Sequence, residues 1–297
     1  MISKFKQAIN IILKSIGLKI VFLRDYNKIL KNINTLNKDA IFVENYIKDL
    51  TKENISEIDI KEIISNISQK QYPESQHINS FRNILDEKKD LTFFDVGAHR
   101  GETIREYKDN FPNINLYSFE PFKESFNDLE KVSKLYDKSQ VFNIGLSNFN
   151  GIGKFNNHIK KNDQHYSVVN STSKLLPNSM TKFGYEDPDE IVQVECKFST
   201  LDYFLDNEKI EFIDLLKIDV QGGEYRVLEG AENSISSGKI KIIFLEIITA
   251  PFYEEQKSLN YYLSYFDKKN YELFGLYNLS YQNNSRLLQF DAMFVLK

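Results

Sequence analysis

Two acids, each closing an apolar run, are the side chains best placed for chemistry in this 297-residue chain. Phe93-Phe-Asp95-Val-Gly97-Ala-His99-Arg-Gly101 reads as a strand ending in a carboxylate, a glycine turn and the start of a helix at Glu102-Thr103. Gly97 and Gly101 carry no side chain to hold a ligand away, so such a turn is expected to bring backbone N–H groups close to one. About 25 residues on, Leu116-Tyr-Ser-Phe-Glu120-Pro121 is a second apolar strand ending in an acid. In a Rossmann-like unit, an acid at the tip of the second strand can accept hydrogen bonds from ribose hydroxyls. Dinucleotide folds favour G-x-G-x-x-G, where close backbone approach accommodates a pyrophosphate. Here the spacing is D-x-G-x-x-x-G, and Asp95 would repel a phosphate. A carboxylate there suits a cofactor with an amino or sulfonium group, which points to S-adenosylmethionine (SAM).

Other acids and histidines widen the choice. Asp219 closes a third such run, with Lys217 two residues earlier on the same strand face, and Glu246 closes a fourth. Asp219 and Glu246 on neighbouring strand ends could hold a divalent ion that acidifies a hydroxyl; acids hydrogen-bonded directly to substrate are the alternative. Glu224 begins a helix, where it either takes part in the reaction or only favours the helix dipole. A general base for an alcohol acceptor is sought among four histidines. His77 falls in a connector and His99 in the first turn. His165, beside Tyr166 and Ser167, is preferred over His158, with Asp219 or Glu224 as an equal alternative.

The block Ile213-Asp-Leu-Leu-Lys217-Ile-Asp219-Val-Gln221-Gly-Gly-Glu224, followed by Val227-Leu-Glu-Gly230-Ala, is more specific. With Asp95-Val-Gly-Ala, Phe119-Glu-Pro121, Leu146-Ser147 and Thr200-Leu-Asp202 it closely resembles the FkbM family of SAM-dependent O-methyltransferases, over roughly residues 90 to 250. Two positions depart from that pattern: His99, where Asn is usual, and Gly223, where Ala is commoner. The resemblance implies a class I SAM-methyltransferase fold, α/β and Rossmann-like, with a mostly parallel sheet and a C-terminal antiparallel hairpin. It implies a cofactor site of Asp95, Gly97, Ala98, Gly101, Glu120, Pro121, Asn143, Gly145 and Asp219, with adenine near Asn143 to Gly145 and Ser147. It also implies methyl transfer to a hydroxyl of a sugar or glycan precursor. A nicotinamide-dependent oxidoreductase and a non-catalytic scaffold of the same fold are the rival readings.

The elements that must position these residues follow from periodicity. From Leu91 onward strands and helices alternate, which implies a mostly parallel sheet with crossover helices. Strands are expected at 91–95, 115–119, 140–144, 213–219, 240–247, 271–278 and 290–296, the last two as a hairpin. Between 151 and 198 the alternation breaks down, apart from an exposed strand at Val192 to Phe198. This stretch is expected to be an acceptor-binding insertion. Residues 1–78 read as a helical N-terminal extension and 79–297 as the methyltransferase domain.

Composition narrows the partners. A formal charge of −4 and a pI near 5.7 argue against a nucleic-acid substrate, which would want a basic face. The single cysteine, Cys196, fits a reducing, cytoplasmic compartment. No apolar run is long enough to span a bilayer. Residues 1–25 carry Lys4, Lys6, Lys14, Lys19 and Arg24 against Asp25, and Phe5, Ile9, Ile12, Ile16, Ile20 and Leu23 form one helical stripe. That stripe is expected to pack on the protein or on a second copy in a homo-oligomer. The alternative is peripheral contact with the inner face of a membrane.

Overall fold

The computed structural model describes residues 76–85, 90–161, 169–282 and 285–297. The N-terminal segment 1–75 and His165 lie outside the described residues, and with them the expectations for residues 1–25 and for that histidine.

Among the described residues ten strands run in chain order: β1 (Thr92–Val96), β2 (Asn115–Phe119), β3 (Ser139–Phe142), β4 (Gly145–Leu146), β5 (Gly151–Ile159), β6 (Glu190–Ser199), β7 (Ile213–Ile218), β8 (Ile240–Ile248), β9 (Tyr271–Gln282) and β10 (Arg286–Leu296). Seven of them form one sheet in the order β3-β2-β1-β7-β8-β10-β9. β1, β2, β3, β7 and β8 pair in parallel, while β10 runs antiparallel to β8 and to β9. This is the class I methyltransferase arrangement, a parallel sheet closed by an antiparallel C-terminal hairpin.

The strands are nearly continuous apolar runs because both sheet faces are covered. Phe93 and Leu215 face one side, packing with Ile78, Phe81, Ile104, Tyr107, Phe126 and Leu129 of helices Gln76–Ile84, Glu102–Asn110 and Lys123–Ser133. Their neighbours Phe94 and Leu216 face the other, with Phe204, Leu228, Tyr262 and Phe266 of helices Leu201–Glu208, Glu224–Glu229 and Leu259–Lys268. The period-2 alternation thus distributes two cores across one sheet.

Two elements differ from expectation. His77 does not lie in a connector; it is buried near the start of helix Gln76–Ile84 and stacks on Phe244, with ring centroids 5.1 Å apart. The 151–198 stretch is not confined to one exposed strand. β5 pairs antiparallel with β6 from Gly151↔Phe198 to Ile159↔Glu190, and β4 adds a short parallel edge, making a second, three-stranded sheet. The inner end of β6 is buried, with Cys196, Phe198 and Ser199 all turned from solvent. Among the described residues no helix is long and apolar enough to cross a membrane.

Candidate active site

A cavity of about 310 Å³ opens at the carboxyl ends of β2, β1 and β7, where ligands meet an open α/β sheet. The turn after β1 forms its floor. Gly97 has φ +86°, and a Cβ there would lie 1.8 Å from the Asp219 carbonyl oxygen, so only glycine lets this turn pass the end of β7. The Gly97 and Ala98 N–H groups donate to the Phe119 carbonyl at 3.1 and 3.0 Å. The His99 N–H donates to Glu120 Oε2 at 3.0 Å. These donors were expected to face a ligand. They instead tie the β1 turn to the end of β2, so the loop offers none of these three N–H groups to a phosphate.

Glu120 is the fixed point of the cavity. It is buried, its Oε1 accepts from the Phe122 N–H at 2.8 Å, and Asn143 Nδ2 donates to the Glu120 and Pro121 carbonyls, each at 3.0 Å. Burial pushes its carboxyl up to about 8, although the Phe122 and His99 N–H groups favour the charged form. Beside it Pro121, Leu146, Phe155 and Phe198 give the cavity an apolar wall, and Gly145 fits under the Phe198 ring, which a Cβ would approach to 2.5 Å.

The other end is polar, lined by Lys217, Asp219, Gln221, Asn170 and Thr172. Lys217 Nζ lies 3.3 Å from Asp95 Oδ1 and 3.5 Å from Asp219 Oδ2. Burial works against its ammonium, but Asp95, Asp219 and Asp291 outweigh that and hold its pKa above the lysine value. Asp95 is fully buried, and burial raises its pKa against the pull of Lys217. Its Oδ2 has no hydrogen-bond partner among the described residues.

The structure therefore brings Gly97, Ala98, Glu120, Pro121, Gly145 and Asp219 to the cavity wall. It leaves Asp95, Gly101, Asn143, Glu224 and Glu246 behind that wall. Asp95 acts on the cavity through Lys217, and Asn143 through the backbone of Glu120. Gly101, at φ +93°, packs against Val132. Glu224 accepts through Oε1 from the Val220 and Gly222 N–H groups at 3.1 and 3.0 Å, bracing the turn after β7; burial pushes its carboxyl up to about 7. Asp219 and Glu246 do not face each other as an open pair of metal ligands. The Gln221 amide stands between them, and among the described residues no group of three acids, histidines or cysteines is suited to a metal. His158 is buried on β5 away from the cavity, and burial lowers its pKa to about 4.

Sequence reasoning missed the wall contributed by the second sheet, Phe155 and Phe198, and the polar pair Asn170 and Thr172. Phe198 closes the alternating run of β6, which was the available signal. Phe155, between Lys154 and Asn156, carried none.

The FkbM methyltransferase domain matches residues 95–273, more than half of the chain. The chain belongs to the FkbM methyltransferase family. It is 25% identical over 173 residues to the 2-O-methyltransferase NoeI of Sinorhizobium fredii (strain NBRC 101917 / NGR234), covering 58% of this chain and 70% of NoeI. It is 28% identical over 153 residues to methyltransferase sdnD of Sordaria araneosa, covering 46% of this chain and 59% of that one. Among solved structures, methyltransferase FkbM from Methylobacillus flagellatus KT aligns with a TM-score of 0.42 at 16% identity, covering 71% of this chain and 45% of that chain. This FkbM chain thus spans less than half of that protein's length.

Proposed function

We propose that this FkbM-family chain transfers a methyl group from SAM to a hydroxyl oxygen of a sugar or glycan precursor. The observation that carries the reading is the cavity with Glu120 at one end and Asp219 at the other. They stand just past the ends of β2 and β7, either side of β1, about 9–10 Å apart by strand spacing. The residues present fit SAM. Glu120 would hold ribose hydroxyls, and the wall of Pro121, Leu146, Phe155 and Phe198 suits a flat base. The internal use of the Gly97, Ala98 and His99 N–H groups disfavours a pyrophosphate, and so a nicotinamide dinucleotide.

The cofactor supplies a methyl carbon activated by its sulfonium. This chain's own task is to orient an acceptor oxygen and receive its proton. Asp219 is the carboxylate at that end of the cavity, and its Oδ2 is the atom proposed to accept the hydroxyl hydrogen. Lys217 Nζ stands 3.5 Å from that oxygen. Asn170 and Thr172, from the 151–198 insertion, line the same end and give it hydrogen-bonding character suited to a polyol. In-line positioning contributes as much as about 7–11 kcal/mol to such a transfer at best. NoeI is named for 2-O-methylation, which supports an oxygen acceptor here. The lone buried thiol, Cys196, suits a cytoplasmic setting.

Calorimetry with SAM, S-adenosylhomocysteine (SAH) and NAD tests the reading, followed by turnover of SAM with simple methyl hexosides. Binding of SAM and SAH without NAD is the expected result. Binding of NAD alone overturns the proposal, and binding of none of the three supports a non-catalytic scaffold.

A further inference from the structure

The turn after β7 holds a glutamine that this chemistry leaves unused. Gln221 sits at φ 56°, in the left-handed region, which non-glycine residues seldom adopt. Its backbone is held there from two sides. Glu224 takes the N–H groups of Val220 and Gly222, and the Ser171 hydroxyl donates to the Gln221 carbonyl at 2.6 Å. The side chain then reaches both strand-end acids. Nε2 donates to Asp219 Oδ1 at 2.9 Å and to Glu246 Oε2 at 3.0 Å. Oε1 lies 3.1 Å from the Tyr253 hydroxyl, whose proton it shares with the Val169 carbonyl at 3.2 Å. The reverse amide orientation would set its oxygen against the Asp219 carboxylate, so the network favours the orientation given.

We propose that Gln221 is a positioning residue, whose amide, oriented by Tyr253, clamps Asp219 to Glu246 and fixes the Asp219 carboxylate at the cavity wall. The inference rests on Asp219 being the carboxylate that meets the acceptor. Two acids on the ends of β7 and β8 repel each other. A neutral amide that donates to both satisfies one oxygen of each without adding charge. Glu246 is held from its far side as well, since Gln289 Nε2 donates to Oε1 at 2.8 Å. Lys217 stands 3.5 Å from Asp219 Oδ2, long for a hydrogen bond, so the shorter bond from Gln221 sets the carboxylate's orientation. Without the amide, Asp219 can turn toward Lys217 and away from an acceptor.

Two measurements on the full-length chain test this. The first is NMR of the Gln221 side-chain amide. Its protons should exchange slowly with water, and their shifts should move when Tyr253 is replaced by Phe. A fast-exchanging amide indifferent to Tyr253→Phe overturns the clamp whatever the acceptor is. The second compares Gln221→Leu and Gln221→Glu with wild type, by SAH calorimetry and by turnover of SAM with methyl hexosides. Gln221→Leu should keep SAH affinity within about two-fold, yet lower kcat about ten-fold or more, the scale of one lost bond to a charged group. Gln221→Glu should be the poorer variant at neutral pH and regain turnover as pH falls, because only a protonated carboxyl can donate. Wild-type kcat in Gln221→Leu, or equal losses of kcat and SAH affinity, overturns the positioning role. If wild type turns over no hexoside, the acceptor reading fails, and the NMR result decides the clamp by itself.

Discussion

In the proposed site, the buried acid Glu120 would couple cofactor binding to pH. Its carboxyl is raised by burial from 4.5 to about 8. Between those values the folded chain keeps a proton that the unfolded chain releases. Its contribution to stability is therefore present below about pH 4.5 and lost as pH climbs to about 8. Melting curves of the cofactor-free protein should show Glu120→Gln gaining on wild type from pH 5 to pH 8; a constant difference would remove Glu120 as the source. Ribose hydroxyls donate to the charged form, so SAH binding near pH 7 should release a proton, detectable as a buffer-dependent binding enthalpy that Glu120→Gln abolishes. Glu120→Ala should weaken SAH binding by about 1.5–3 kcal/mol, or roughly 10- to 150-fold. Unchanged affinity in a folded variant would refute the ribose assignment. Asp219 lies at the other end, where a different loss is expected. Asp219→Asn should cut kcat more than SAH affinity. Activity should also survive thorough chelation, because the Gln221 amide occupies the space between Asp219 and Glu246.

At the scale of elements, the site depends on how closely the β1 turn passes β7. Gly97→Ala puts a methyl 1.8 Å from the Asp219 carbonyl in a left-handed turn, so one strand end must move. A loss of roughly 2–4 kcal/mol is expected, read as a lower melting temperature together with weaker SAH binding. Gly223→Ala is the control. Its Cβ would lie 3.1 Å from Thr172 Oγ1, an atom able to rotate away, and its cost should be clearly smaller. Comparable melting temperatures for the two variants would show that the close approach does not matter. These contacts also explain what the sequence made legible. Strands buried on both faces, such as Ile240–Ile248, announce themselves as apolar runs, and the acids at their tips mark the cavity. β5 did not, because Gly151, Gly153, Asn156 and Asn157 have poor strand propensity and its pairing with Glu190–Ser199 is supplied by tertiary contact. The same non-local pairing hid Phe155. The internal use of the Gly97 and Ala98 N–H groups was equally invisible, since it depends on where the Phe119 carbonyl points.

Among the described residues, those lining the cavity lie from Val96 onward, while the basic apolar stripe lies in residues 1–25. Cofactor binding and the role of that stripe are therefore separable by truncation. Deleting residues 1–25 should leave SAH affinity unchanged within about two-fold, well inside the factor of ten that 1.4 kcal/mol represents. Two fates for the stripe then give opposite results. Packing on protein, whether the same chain or a second copy, predicts that truncation lowers the melting temperature or changes the mass in solution, with no vesicle binding in either form. A membrane-surface role predicts that the full-length chain sediments with anionic vesicles, weakly at high salt, since each lysine near such a surface contributes about 1 kcal/mol. The expected outcome is the first, burial of an apolar helical stripe against protein being the commoner use of such a pattern. Sedimentation of the full-length chain that is lost on truncation would reverse that expectation and place the enzyme at an anionic surface.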